Sequence, residues 1–449
     1  MAVRTPFLNI KPEEKKQVYS LILVLALATL VLELSDVIAT GGFVSNIGPD
    51  NIVYLWIIDM IITIVTAGVY AMAVDKMDRA KLIKWLALGF ALVFLLMRLL
   101  FLFNAPDWAT YPLLYILTDQ FYAIFPLAFW AMVNDLYTSS EAKRLYPIII
   151  MGAALGSISG NGLAAVSGWV LQRTGGSAPS LLIIGTILLL VTLAVLQFAL
   201  PKRTVNARQS RDESVDVGQT IKVGWDYIKN VPIFTFLAIS MLLSGLAFTI
   251  IEYHFIFAVD QAAAQDPLQF QTFYGSFKII LIVSILAVQA FFSGRFLEKV
   301  GLKNSFIFQP VALAMSGALA ALVPGLVGAA GAKYLMRLVQ QSWDEPARKS
   351  LQNLIPDERR GRVAVMIDRY FYDVSTIVGS IVLAVLLFLR NLSVISQGQI
   401  TNVYLGLAIV AALVAVVAGI RLRAKYEQSL LDWRLSRSRR KSALDGIEF

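Results

Sequence analysis

The chain has 449 residues, of which 57% are hydrophobic and 15% charged, with 39 Lys and Arg against 30 Asp and Glu. A soluble protein carries roughly 25% charged residues, so a soluble globular domain of this size is excluded. The absence of cysteine excludes disulfides, thiolate metal sites and cysteine nucleophiles, and the single histidine, His254, argues against a histidine metal cluster or triad.

No GxxxxGK[ST] phosphate loop is present. The chain is therefore expected to draw on ion or solute gradients, with no cofactor and no enzymatic activity. Met1–Gln17 lacks the Arg- and Ser-rich, acid-poor character of a transit peptide. The apolar run that follows is too long for a signal segment and carries Glu33 and Asp36, which predicts a retained first helix.

Spans of about 20 apolar residues recur along the chain. Twelve are predicted, at 17–40, 52–74, 83–103, 109–136, 147–171, 179–200, 232–256, 270–293, 305–322, 326–345, 363–389 and 401–424. The loops then alternate in Lys and Arg content. Those on the side of the N-terminus hold almost all of these residues, whereas the opposite loops hold only Arg173 and Arg390. By the positive-inside rule both termini are cytoplasmic, and a bacterial inner membrane is the expected location. The basic run Arg434–Lys441 is read as an anchor beside anionic lipid headgroups, and no nucleic-acid partner is expected.

The predicted fold is an all-α membrane protein of about 12 helices in two six-helix halves. Residues 1–200 form the first half, and 201–231 a cytoplasmic linker with an amphipathic segment. Residues 232–424 form the second half and 425–449 a basic tail. The loop Asp75-Lys-Met-Asp78-Arg79-Ala-Lys81 and the loop Gly294-Arg295-Phe-Leu-Glu298-Lys299 are short acid-and-base turns at the same place in each half. That is the parallel-repeat pattern of the major facilitator architecture, with its solute site between the halves near the midplane.

An ionisable residue inside the bilayer costs at least roughly 2.5–3.5 kcal/mol on insertion scales, so each is a candidate for function. Lys278, Lys333 and Arg337 read either as a positive patch for an anionic solute or as counter-ions for buried acids. Glu33, Asp36, Asp119, Glu252 and Asp373 read either as coupling groups or as gates. Asn161, with Ser157, lies on the span that carries Gly152, Gly156 and Gly160 and is a solute-facing candidate; the glycines themselves permit close helix approach. Phe121, Tyr122, Phe129 and Trp130 offer rings for a planar solute or ordinary packing. His254 is expected as a structural histidine at the outer interface.

Two motifs go beyond architecture. Phe129-Trp130-Ala-Met-Val-Asn134 is followed by Glu141-Ala-Lys143-Arg144-Leu-Tyr146-Pro147, and Glu345-Pro346-Ala-Arg348-Lys349-Ser-Leu351 by Arg360-Gly-Arg362 and Ile367-Asp368. Both resemble the nucleotide transporter (ATP/ADP translocase) family of plastids and intracellular bacteria, in which similar FW…N…EAKRxYP and KPARExL motifs precede spans five and eleven. The resemblance implies a major-facilitator-like fold and exchange or proton-linked import of nucleotides. Where that family carries a basic pattern like RDTKD in span one, this chain reads Leu32-Glu33-Leu34-Ser35-Asp36, and Asp373 stands where the family tends to be basic.

The expected function is thus a monomeric secondary transporter in the lipid bilayer, moving a nucleotide or other small anionic solute by exchange or proton symport. A proton-coupled carrier of a non-nucleotide solute and a non-transporting scaffold or sensor are the alternatives.

Overall fold

The computed structural model describes residues 10–74, 77–198, 217–352, 355, 363–394 and 396–444. The linker residues 201–216 and the motif residues Arg360 and Arg362 lie outside them. The described residues are helical and contain no strand. In chain order the helices are α1 (Lys15–Ile47), α2 (Ile52–Val74), α3 (Arg79–Leu102), α4 (Asp107–Leu136), α5 (Ser139–Ile149), α6 (Met151–Thr174) and α7 (Leu182–Phe198). After the linker come α8 (Val217–Asn230), α9 (Pro232–Ala262), α10 (Pro267–Val288), α11 (Gly294–Val300), α12 (Leu302–Ser305) and α13 (Phe308–Leu322). The last four are α14 (Leu326–Val339), α15 (Glu345–Gln352), α16 (Phe371–Asn391) and α17 (Gln397–Leu444).

Among the described residues eleven helices are long and apolar enough to cross a membrane. The predicted span 326–345 is not one of them. It is formed by α14, which continues through a π turn at Gln340–Asp344 into α15 and carries Lys333 and Arg337. Helix ends carry the expected chemistry. The Asp78 carboxylate accepts from the Ala80 N–H at 2.9 Å and caps α3. Thr138 and Glu141 close a capping box on α5, and Gly175 ends α6 with φ of 71°.

The chain divides into two compact units. The first comprises Met1–Leu55, Ile61–Glu213 and Val259–Val283; the second comprises Trp56–Met60, Ser214–Ala258 and Ser284–Phe449. The end of α9 and most of α10 thus belong with the helices that precede the linker.

In the first unit α1 is the central element, packed against α4, α6 and α7. A Cβ built on Gly152, Gly156 or Gly160 would stand 2.4, 2.2 or 2.5 Å from the carbonyl oxygens of Ile22, Ala26 and Leu30. The three glycines therefore lay the α6 backbone on the α1 backbone one turn at a time, which no larger residue permits. Lipid-facing and inward faces separate cleanly on α3. Trp85, Leu92, Leu96 and Leu99 are exposed, while Ala87, Ala91, Phe94 and Met97 are buried. In the second unit α13 packs on α14 and α17, and Phe234, Phe306, Leu351, Met366, Phe371 and Leu422 join one core cluster. Gly245 and Gly379 bring α9 close to α16 at Ser375 and Thr249.

Candidate functional site

Each unit holds a cluster in which charges from different spans meet. In the first, α1 presents Glu33 and Asp36 three residues apart, hence on one face. The Lys278 ammonium on α10 meets both carboxylates, lying 2.9 Å from Asp36 Oδ2 and in contact with Glu33. From α6, the Ser157 hydroxyl donates to Glu33, and Asn161 Nδ2 donates to Glu33 Oε2 at 3.0 Å. Asn161 is fully buried, and its Oδ1 has no hydrogen-bond partner among the described residues. The Tyr274 ring lies 5.5 Å from Lys278 Nζ.

The seat of Lys278 is built by the contact of α10 with α6. Gln271 Nε2 donates to the Ala164 carbonyl at 2.9 Å and to Ser167 Oγ at 3.0 Å. A Cβ on Gly275 would lie 2.8 Å from the Asn161 carbonyl, so the helices touch through backbone there.

The second unit holds a cluster of its own. Phe248, Glu252 and Phe255 follow one another at helical spacing on α9, and Lys333 and Arg337 lie one turn apart on α14. Lys333 Nζ is 2.5 Å from Glu252 Oε1, and Arg337 Nη2 is 3.5 Å from Oε2. Each cation also covers a ring: Lys333 Nζ is 4.2 Å from the centre of Phe255, and the Arg337 guanidinium 4.3 Å from that of Phe248. Glu252 thus meets two cations, as Lys278 meets two carboxylates in the first unit.

The remaining acids are placed separately. Thr63 Oγ1 donates to Asp119 Oδ2 at 3.5 Å in the first unit. Asp373, fully buried in the second, accepts from Arg369 Nε at 3.1 Å. Among the span-four aromatics, Phe121 and Phe129 are fully buried, Phe121 against Phe90, Phe94 and Phe125, whereas Tyr122 is exposed. His254 is buried, its Nδ1 2.8 Å from the Tyr404 hydroxyl, on a helix that runs on to Ala262, nearly two turns past the expected end.

The partners of Lys278, Lys333 and Arg337 were not readable from the sequence, because the pairs lie far apart along the chain. The only sequence signal was the matching depth of Asp36 and Glu252 in the two halves, since each does hold a lysine.

The first motif folds where α4 gives way to α5 and α6. The Arg144 guanidinium grips Glu14 with two parallel bonds of 2.7 and 2.8 Å, which hold the Glu14 carboxyl down at about 2. The Tyr146 hydroxyl donates to Asn134 Oδ1 at 2.5 Å, and its ring packs against Trp130 at 5.3 Å. Arg79 pairs with Asp135 at 2.7 Å. The motif is thereby a set of ties between α1, α3, α4 and α5. The family model described as TLC ATP/ADP transporter matches residues 91–328, more than half of the chain.

The chain belongs to the TLC ATP/ADP transporter family.

In this TLC-family chain the matched stretch includes Asp119, Asn161, Glu252 and Lys278 and ends before Lys333 and Arg337. The second motif continues the pattern of ties. Arg348 pairs with Asp344 at 2.8 Å, and Asp368 accepts from Lys349 at 2.6 Å and from Gln352 at 2.7 Å. No curated protein matches the sequence.

Solved structures resemble the fold throughout. The nucleoside transporter NupG is 16% identical with a TM-score of 0.63, over 92% of this chain and 98% of that one. A bacterial homologue of the iron transporter ferroportin in an inward-facing state is 15% identical with a TM-score of 0.62, over 92% and 100%. A peptide transporter of the POT type in complex with sulfate is 12% identical with a TM-score of 0.61, over 94% and 96%. The TLC-family chain is accordingly a multi-pass membrane transporter of a small-molecule solute, with an all-α, major-facilitator-like fold.

Proposed function

We propose that the chain is a secondary transporter that works by alternating access and moves a nucleotide or another small anionic solute by exchange or proton symport. The observation that carries this reading is the cluster of the second unit, where Lys333 and Arg337 both face the carboxylate of Glu252. An anionic group on the solute can share or replace Glu252. The planar guanidinium of Arg337 suits a carboxylate or phosphate bidentately, and Phe248 behind it fixes its plane. The family supports nucleotides as the first solutes to try. The chain is read as lying in a cell membrane with both ends cytoplasmic, because nearly all Lys and Arg of its loops fall on that side.

A second reading, a proton-coupled carrier of a non-nucleotide solute, is favoured by the first unit, where acids outnumber the cation.

Uptake into proteoliposomes decides between them. Removing one partner of a buried pair leaves the other charge uncompensated, at about 3–5 kcal/mol, so Lys333 is best changed together with its partner, as Lys333→Met with Glu252→Gln. That double variant and Arg337→Ala are expected to fold and to lose at least ten-fold in uptake of labelled nucleotide against internal nucleotide. Undiminished uptake in both removes the solute role of these cations. Uptake that ignores internal nucleotide and collapses with a proton uncoupler favours the second reading.

A further inference from the structure

We propose that Glu33, Asp36, Ser157 and Asn161 form a binding site for a monovalent metal cation of sodium size, occupied in this conformation by the ammonium of Lys278. The proposal rests on the reading of the chain as an alternating-access carrier and names the ion that its first unit handles.

Three observations carry it. The first is the occupant: a single positive charge already sits against two carboxylates, touching Glu33 and 2.9 Å from Asp36. The second is the donor set. Glu33 and Asp36 supply carboxylate oxygens and Ser157 a hydroxyl, and Asn161, whose Nδ2 donates to Glu33 here, adds a buried Oδ1 without a hydrogen-bond partner among the described residues. Oxygen donors suit hard cations, and the charge that the two carboxylates already hold, that of the Lys278 ammonium, is a single one. The third is the way Lys278 arrives. It is carried by α10, whose contact with α6 is made by Gln271 and by Gly275 against the Asn161 backbone.

The coupling follows from electrostatics. Two carboxylates brought together repel, and a counter-ion stabilises the pair. If α10 moves off α6, the ammonium leaves with it, and Glu33 and Asp36 hold that open conformation only when a cation takes its place. A cation bound there blocks the return of Lys278. Cation binding and movement of α10 are thus mutually linked.

The test uses purified protein in detergent and Na+ as the probe. Melting temperature is followed in sodium chloride against choline chloride of equal ionic strength at neutral pH. Lys278→Met is expected to melt several degrees higher in Na+, saturably, whereas the wild type shifts far less because its own ammonium competes. Since Lys278→Met leaves two carboxylates uncompensated, Lys278→Met with Asp36→Asn is run beside it, which keeps the formal charge of the wild-type cluster. This double variant is also expected to gain a Na+ response, and to lose it when Asn161→Ala is added. Identical melting in Na+ and choline overturns the site, as does stabilisation by acid alone. No solute enters the measurement, so failed nucleotide uptake and a failed Na+ response separate the two proposals.

Discussion

Glu14 shows how much a single side chain tied to the first motif contributes. Its carboxyl is held at about 2, first by the hydrogen bonds from Arg144, against an ordinary value near 4.5. A depressed carboxyl favours the folded state when ionised. The tie between Glu14 and Arg144 is therefore fully present above about pH 4.5 and is lost as the pH falls toward about 2. Melting curves of wild type and Glu14→Gln are expected to differ most near neutral pH and to converge in acid; a constant gap contradicts the assignment. At this scale the sequence was half legible. The insertion cost of a charge marked Glu33, Asp36, Lys278, Glu252, Lys333 and Arg337 individually. Their pairing depends on which faces of α1, α6, α9, α10 and α14 meet, and one sequence does not contain that. Lys333 and Arg337 proved to share Glu252, while Lys278 proved to belong with α1.

The elements were read more fully, and where they differed the reason is local. Apolar length set the spans, but α1 runs on through Gly41 and Gly42 to Ile47 and stops at Gly48 and Pro49, and α9 runs on to Ala262. The glycine spacing of α6 was read as permission for close approach, and the structure names the surface approached: the carbonyls of Ile22, Ala26 and Leu30 on α1. A Cβ at Gly156 would stand 2.2 Å from the Ala26 oxygen, inside any tolerable contact. Gly156→Ala is thus expected to destabilise by about 1–3 kcal/mol through overpacking, and Gly156→Leu to prevent assembly. Gly89, with nothing within 4 Å of its Cβ position, is the matched control, and Gly89→Ala should leave the melting temperature unchanged or slightly raised. Equal effects at both positions contradict the account.

At the scale of the whole molecule, the all-helical, multi-pass class was legible because apolar length marks the spans, eleven of which are long and apolar enough to cross a membrane among the described residues. The two compact units were not, since Val259–Val283 lies after the linker in sequence yet packs with the helices before it. The predicted orientation has a direct check. A fluorescent protein fused after Phe449 is expected to fluoresce, and a periplasmic phosphatase fused there to stay inactive; the reverse pattern inverts the topology. The seam of α1 and α6 also sets how this fold can vary. Three successive turns meet backbone to backbone, so there is no layer of side chains to repack, and neither helix can slide or rotate by small steps. A saturation library should therefore show a narrow, intolerant stripe at residues 152, 156 and 160 beside freely variable lipid-facing positions. Selection for new solutes would have to act on neighbouring helices, with this pair as the fixed ruler from which their positions are measured.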